Sequence, residues 1–415
     1  MKKILSLIAL GCVMSASAQT YTLEQIKDSA LQNNFAIRSA KYGVEAAQQQ
    51  RKEAFTKYFP SVSGTGVWFN ANKGMAQTTI NPSASISPEL GAALAQSLPQ
   101  EALAALANPI SISMMKNGTI GSLMAVQPVF AGGQIINGNK LAKVGEEVSK
   151  LQLQLSENEV EKTAEQYFWQ LASLQEKMNT INAVDTLLRD IHSQRLKLQN
   201  GISIVRLLLS QYCGLRDTSF AISFQTSILE KFNVSCLMFN VNGLPEYQLL
   251  GKQVEAAKLQ KQMAVGQNLP TLAVGAGYNY HNVLENNHSF GMVFATVSVP
   301  ISDWWGGSHA IKRKKIEHQK AVEQLEDNAQ LLKIRMQNAW NGVEESYQQL
   351  QLAKRSIEQA DENLRLNRNY YRAGTSKMSD LLEAQLLYQQ ALDKHTDAFA
   401  DYQNKLLEYK QATGQ

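Results

Sequence analysis

Nine prolines in 415 residues leave little to interrupt a helix, and long stretches between them are filled with Gln, Leu, Ala and Lys. With heptad spacing, that composition reads as long helices rather than as two or three ordinary globular domains. Cysteine is scarce: beyond Cys12, in the leader described below, only Cys213 and Cys236 remain. They allow at most one disulfide, and sequence alone does not say whether they meet; Cys213 lies in an apolar helical run and reads as a small core residue. The net charge of +4 is too small to indicate nucleic acid. Beyond the N-terminus no run of about 18 apolar residues occurs, so no transmembrane helix is expected. GxxxxGK, HExxH, GxSxG and paired CxxC are all missing. The histidines are scattered, and the carboxylates alternate with Lys and Arg as on a solvated helix face. An enzyme, a cofactor and a bound metal are therefore not expected. His281 and His288, in or beside a hairpin loop, could touch a metal, although solvated loop histidines are commoner.

What is present begins with a secretory leader over residues 1–18. Lys2 and Lys3 are its charged end, Ile4 to Val13 its apolar core, and Ala16, Ser17 and Ala18 its small-residue cleavage site. Cys12 offers a lipoprotein alternative, but Ala9 stands where Leu usually lies three before the cysteine.

The mature chain repeats itself. Residues 19–214 and 244–415 each read helix, strand, strand, helix, joined by a connector at 215–243. In the first half, Leu23 to Phe55 is expected as one helix capped by Thr22 and Gln25. Strands follow at Ser61–Asn70 and Thr119–Phe130, separated by a loop with a short helix over Pro88–Ala107. A helix from Gln134 to about Ile191 would be roughly 85 Å long. Leu141, Val144, Val148, Leu151 and Leu155 step along it by three and four; after a phase slip, Ala164, Tyr167, Leu171, Leu174, Met178 and Ile181 resume the step. Leu196–Tyr212 is a shorter return helix. In the second half, Pro245–Val265 is helix, Thr271–Tyr280 and Phe290–Val299 are strands, and Gly307–Tyr371 is a second long heptad helix. Gly374 breaks it, and Ser379 and Asp380 can cap the last helix, which runs to Ala412.

Thr271–Tyr280 alternates cleanly. Leu272, Val274, Ala276, Tyr278 and Tyr280 share one face; Ala273, Gly275, Gly277 and Asn279 share the other. A membrane β-barrel strand alternates in this way, and so does a half-buried soluble sheet. If the strands lie in a membrane, an open edge leaves backbone groups unpaired at several kcal/mol each. Known barrels begin at about eight strands, and one chain supplies four. Several copies would then share one barrel, with the helices in a coaxial ring.

At Pro128, Gly132 and Gly133, and again at Pro300, Gly306 and Gly307, the chain turns from strand to helix where glycine permits the backbone angles and close approach. Trp304 and Trp305 beside the second junction suit either an aromatic girdle at the bilayer surface or packing under a turn. Lys312, Arg313, Lys314 and Lys315 fit lipid head groups or a partner's acids.

These residues resemble the TolC-like outer-membrane efflux protein family. The resemblance rests on the duplicated halves, on the run from Pro128 to Gly133, and on Tyr370, Tyr371, Arg372, Ala373 and Gly374 followed by Asp380 to Ala384. It implies an α+β membrane protein, in which a long antiparallel coiled-coil helical barrel continues into an outer-membrane β-barrel. Each subunit gives four strands to a homotrimer with a twelve-stranded barrel. It also implies a passive exit duct of a tripartite efflux or type I secretion system, in contact with outer membrane lipid, a periplasmic membrane-fusion adaptor and an inner-membrane transporter. By the same resemblance Tyr371, Gly374, Asp380 and Glu383 fall at the tunnel mouth, which ionic links would close. The family's Arg at this turn falls near Ser376, with Lys377 next to it, and Asp380 reads equally as a helix cap. The first half departs from the pattern: its tip hairpin is roughly 25 to 35 residues shorter, some 40 Å of helix. The competing reading is a periplasmic coiled-coil scaffold or adaptor without a pore.

Overall fold

The computed structural model describes residues 20–74, 76–81, 110–183, 189–224, 240–283, 287–301 and 303–414. The leader, the Pro88–Ala107 segment and Cys236 lie outside them. In chain order the elements are β1 (Thr20–Tyr21), α1 (Leu23–Asn33), α2 (Phe35–Thr56), β2 (Ser61–Asn70), β3 (Ala76–Ile80), β4 (Ile110–Met114), β5 (Asn117–Ala131), α3 (Gln134–Ala183) and α4 (Arg189–Cys213). After β6 (Ala221–Ile222) come α5 (Pro245–Gln267), β7 (Thr271–Asn282), β8 (His288–Ser298), α6 (Asp303–Arg372) and α7 (Met378–Thr413).

The chain forms two compact units, and each draws on both sequence halves. One takes the described residues of 1–50, 142–258 and 316–415; the other takes those of 51–141 and 259–315.

The first unit is helical and holds the main core. Ile26 and Ala30 of α1, Phe168 and Leu171 of α3, Leu209 and Cys213 of α4, Leu350 of α6 and Tyr409 of α7 are buried in one cluster. Rings lock the helices edge to face, with centroids 5.7 Å apart for Trp169 and Phe399. Of the stepped residues of α3, Val144, Ala164, Leu171 and Ile181 are buried; along α6, Leu332, Met336, Val343 and Leu350 are buried, whereas Val322 is exposed. Cys213 is free, and burial pushes its thiol up to about 12, as befits an inert core residue. Lys27 of α1 pairs with Glu165 of α3, a carboxylate that also accepts from Trp169 Nε1 at 3.2 Å. Lys252 and Glu147, 2.6 Å apart, tie α5 to α3, and Arg335 and Glu246 at 3.0 Å tie α6 to α5.

One expected helix is two. Thr22 caps α1 through a full capping box with Gln25, but the helix ends at Asn34, whose ψ is 136°. The Asn34 side chain donates to Tyr212 O at 3.1 Å and accepts from Ala36 N at 2.8 Å. It thereby satisfies the end of α4 and the start of α2 together.

The second unit carries the sheet, in the order β2-β5-β7-β8 and antiparallel throughout. The expected loop after Asn70 instead opens with β3, which pairs with β4 as a separate antiparallel ladder.

Candidate functional site

The register sorts the sheet residues onto two faces, because directly opposed residues point the same way. Tyr278 stands opposite Leu123 and Gly291, and Ala276 opposite Ala125 and Val293. Val62, Trp68, Leu123, Val274, Tyr278, Val293 and Val297 therefore share a face, and all are exposed, Val293 at 86% and Trp68 at 72%. Such a patch has the apolar character of a surface made to meet something other than water. The other face carries Ser61, Ser63 and Thr65 of β2, Ser122 of β5, and Gly275, Gly277 and Asn279 of β7, together with Val67 and Phe69 of β2 and Ile120, Met124 and Val126 of β5. Thr65 Oγ1 and Ser122 Oγ lie 2.6 Å apart on it. The strand β8 brings Phe290, Met292 and Phe294 to this side, so both its faces are apolar. The Phe294 ring lies over Gly275, where a Cβ would overlap it. Among the described residues the sheet ends at β2 and β8, each paired on one side alone. Among the described residues, no helix is long and apolar enough to cross a membrane.

The strand–helix junctions differ. Pro128, which has no N–H to give, begins a register shift to Phe130 that leaves Val129 unpaired. Gly132 and Gly133 then turn the chain into α3 with φ of +58° and +76°. A Cβ on Gly132 would strike the backbone of Gly266, and one on Gly266 would strike Gly132 O, so two backbones meet where no side chain fits. At the second junction Pro300 sits in a tight turn in which Ile301 N donates to Val299 O at 2.9 Å. Gly306 and Gly307 are not in that turn. They lie in the first turns of α6 without positive φ, and only Gly307 is confined, against the Asn268 side chain. Gly266 and Asn268 went unread in the sequence, since nothing local marks a helix end for a contact so distant along the chain. Trp305 is 82% exposed; the side chain of Trp304 lies outside the described residues.

The mouth candidates gather at the α6–α7 turn. Gly374, at φ +69°, ends α6: its N–H donates to Tyr371 O at 3.0 Å and that of Thr375 to Tyr370 O at 2.9 Å. The cap of α7 is Lys377, not Ser379 or Asp380. Asp380 stands three residues on and accepts from Lys377 N at 3.1 Å and Ser379 Oγ at 3.0 Å. Tyr371 and Glu383 are exposed. The helices α6 and α7 have 70 and 36 residues, against 50 and 25 in α3 and α4.

The family described as outer membrane efflux protein matches residues 250–415. The Campylobacter jejuni CmeC outer membrane channel superposes with a TM-score of 0.72 at 14% identity, over 94% of this chain and 85% of that one. The resemblance to the outer-membrane efflux proteins holds. The Neisseria gonorrhoeae MtrE outer membrane channel, in its open state, gives 0.70 at 14% identity over 94% and 88% of the two chains. The Vibrio cholerae outer membrane protein VceC gives 0.69 at 14% over 94% and 96%. At these identities the likeness is one of fold. No curated protein matches the chain by sequence.

Proposed function

We propose that the chain is one protomer of an outer-membrane exit duct, a passive conduit for efflux or type I secretion. The observation that carries this reading is the open sheet. Among the described residues its four antiparallel strands keep two unpaired edges, and one face exposes Val62, Trp68, Leu123, Val274, Tyr278, Val293 and Val297. In lipid, several kcal/mol attach to each unsatisfied backbone group, so such edges must close on further copies. Three copies give a twelve-stranded barrel, with Val274, Tyr278 and Val293 toward lipid, the Ser and Gly face toward water, and Trp305 at the bilayer surface. The helices of three copies form the periplasmic tunnel. Val322, Leu331, Ile334 and Leu352 of α6, exposed in a lone protomer, are the faces a neighbour covers. The leader directs export and is removed. A passive duct needs no cofactor, and selection belongs to the inner-membrane transporter reached through the adaptor. A pore-free scaffold would need the helices but not the apolar sheet.

At the mouth, Tyr371, Asp380 and Glu383 make the links that hold the α6–α7 hairpins together until the adaptor engages. The shorter α3–α4 hairpin leaves each copy with one full-length tip, which alters docking. Two tests follow. The protein should fractionate with the outer membrane as an oligomer that resists detergent and dissociates on heating; a soluble monomer counts against the reading. Lengthening the α3–α4 tip to match α6–α7 should raise export; no gain would separate tip length from docking.

A further inference from the structure

The last matched pair of the β7–β8 hairpin is His281 opposite His288. Their ring centroids are 5.3 Å apart, with planes at 62°. Phe290 packs against both, its centroid 6.5 Å from His281 and 6.0 Å from His288. The register that keeps the pair opposed is pinned from the other face, where Tyr278 Oη donates to Ser289 Oγ and Tyr280 Oη to Asn287 Oδ1, each at 2.9 Å. Directly opposed residues of an antiparallel ladder have Cβ atoms about 5 Å apart, within reach of one shared ion for two imidazoles. Neutral imidazole is a borderline donor suited to copper, nickel and zinc, whereas calcium and magnesium require oxygen cages.

We infer that His281 and His288 chelate one divalent transition-metal ion at the head of the β7–β8 hairpin. No group of three or more His, Cys, Asp or Glu gathers among the described residues, so water completes the ion's shell and the site exchanges freely. Copper binds ahead of nickel and zinc, the general order for nitrogen sites. On the exit-duct reading, on which this further placement rests, the pair lies at the strand ends remote from α5 and α6. It faces the lumen with Asn279, and the copies set a ring of such pairs at the outer opening. A bound ion then adds positive charge to that outer opening.

Calorimetric titration of the untagged full-length protein in detergent with Cu2+, Ni2+ and Mg2+ tests the chelate. The expected result is one Cu2+ per chain, weaker Ni2+ binding and no Mg2+ binding. His281→Asn and His288→Asn should each lower Cu2+ affinity by at least about tenfold, while His309→Asn leaves it unchanged. Absence of binding, or binding indifferent to both hairpin substitutions, overturns the inference. Conductance keeps the two readings apart. A current that Cu2+ reduces in the wild type but not in the two variants supports the ring. Stoichiometric binding without any effect on current leaves the chelate standing and counts against its place at the pore.

Discussion

At Gly132 two pieces of backbone share a space that no side chain can enter, and the residue's φ of +58° is left-handed as well. Gly133 has the second demand without the first, since the nearest atom to a built Cβ there is Asn137 Nδ2 at 3.6 Å. Gly133→Ala should therefore cost only the handedness penalty, about 1–2 kcal/mol. Gly132→Ala should cost more, because it also pushes Gly266 away, and the thermal midpoints of the two variants measure the difference. Asp393 in α7 is a different kind of residue. Burial holds its carboxyl above the usual range, with Lys177 opposing and Asp397 adding repulsion, and among the described residues its Oδ1 has no hydrogen-bond partner. The native state thus binds this proton more tightly than the unfolded chain, so stability falls as pH rises through the usual carboxylate range. Asp393→Asn should raise the melting point near neutral pH and change it little in acid, below that range. A gain in acid as large as that at neutral pH would show that ionisation is not the cause.

At the scale of elements, the sequence is legible where the signal is local. The bounds of β2 match the reading residue for residue, and Thr22 with Gln25 marks the start of α1. Its end was hidden because Ile26, Ala30 and Ile37 keep an apolar helical step across the break at Asn34, all three buried. The break is made by Tyr212 O, 178 residues away, which no local pattern announces. Asn34→Ala should accordingly destabilise by about 1–2 kcal/mol, read as a shift in the denaturation midpoint, and Asn34→Asp should lose the bond to Tyr212 O while keeping the one from Ala36 N. The ladder of β3 with β4 was missed for lack of an alternating apolar run: Gln77, Thr78 and Thr79 are polar, and pairing with Ser111 and Ser113 is what makes them strand. At the second junction the doubled glycine suggested a copy of the first, but repetition in sequence did not carry over to backbone: Gly306 and Gly307 are helical. At the α6–α7 turn, Gly374 was legible, whereas the cap fell to Lys377, a residue type that caps poorly by propensity.

At the scale of the molecule, the two sequence halves do not correspond to the two compact units, because each half sends its strands of the four-stranded sheet to one unit and the larger part of its helices to the other. The division into units was not readable from the sequence, since it depends on which segments pack together. Among the described residues the four-stranded sheet has two free edges. A lone copy leaves those edges and an apolar face without partners, and pooling strands between copies removes both costs at once. The most direct test is conductance of the purified protein in planar lipid bilayers. The account predicts discrete, long-lived channel steps from an oligomeric preparation, altered in gating by Asp380→Ala if the α6–α7 turns form the mouth. A preparation that stays monomeric and water-soluble and passes no current would contradict it.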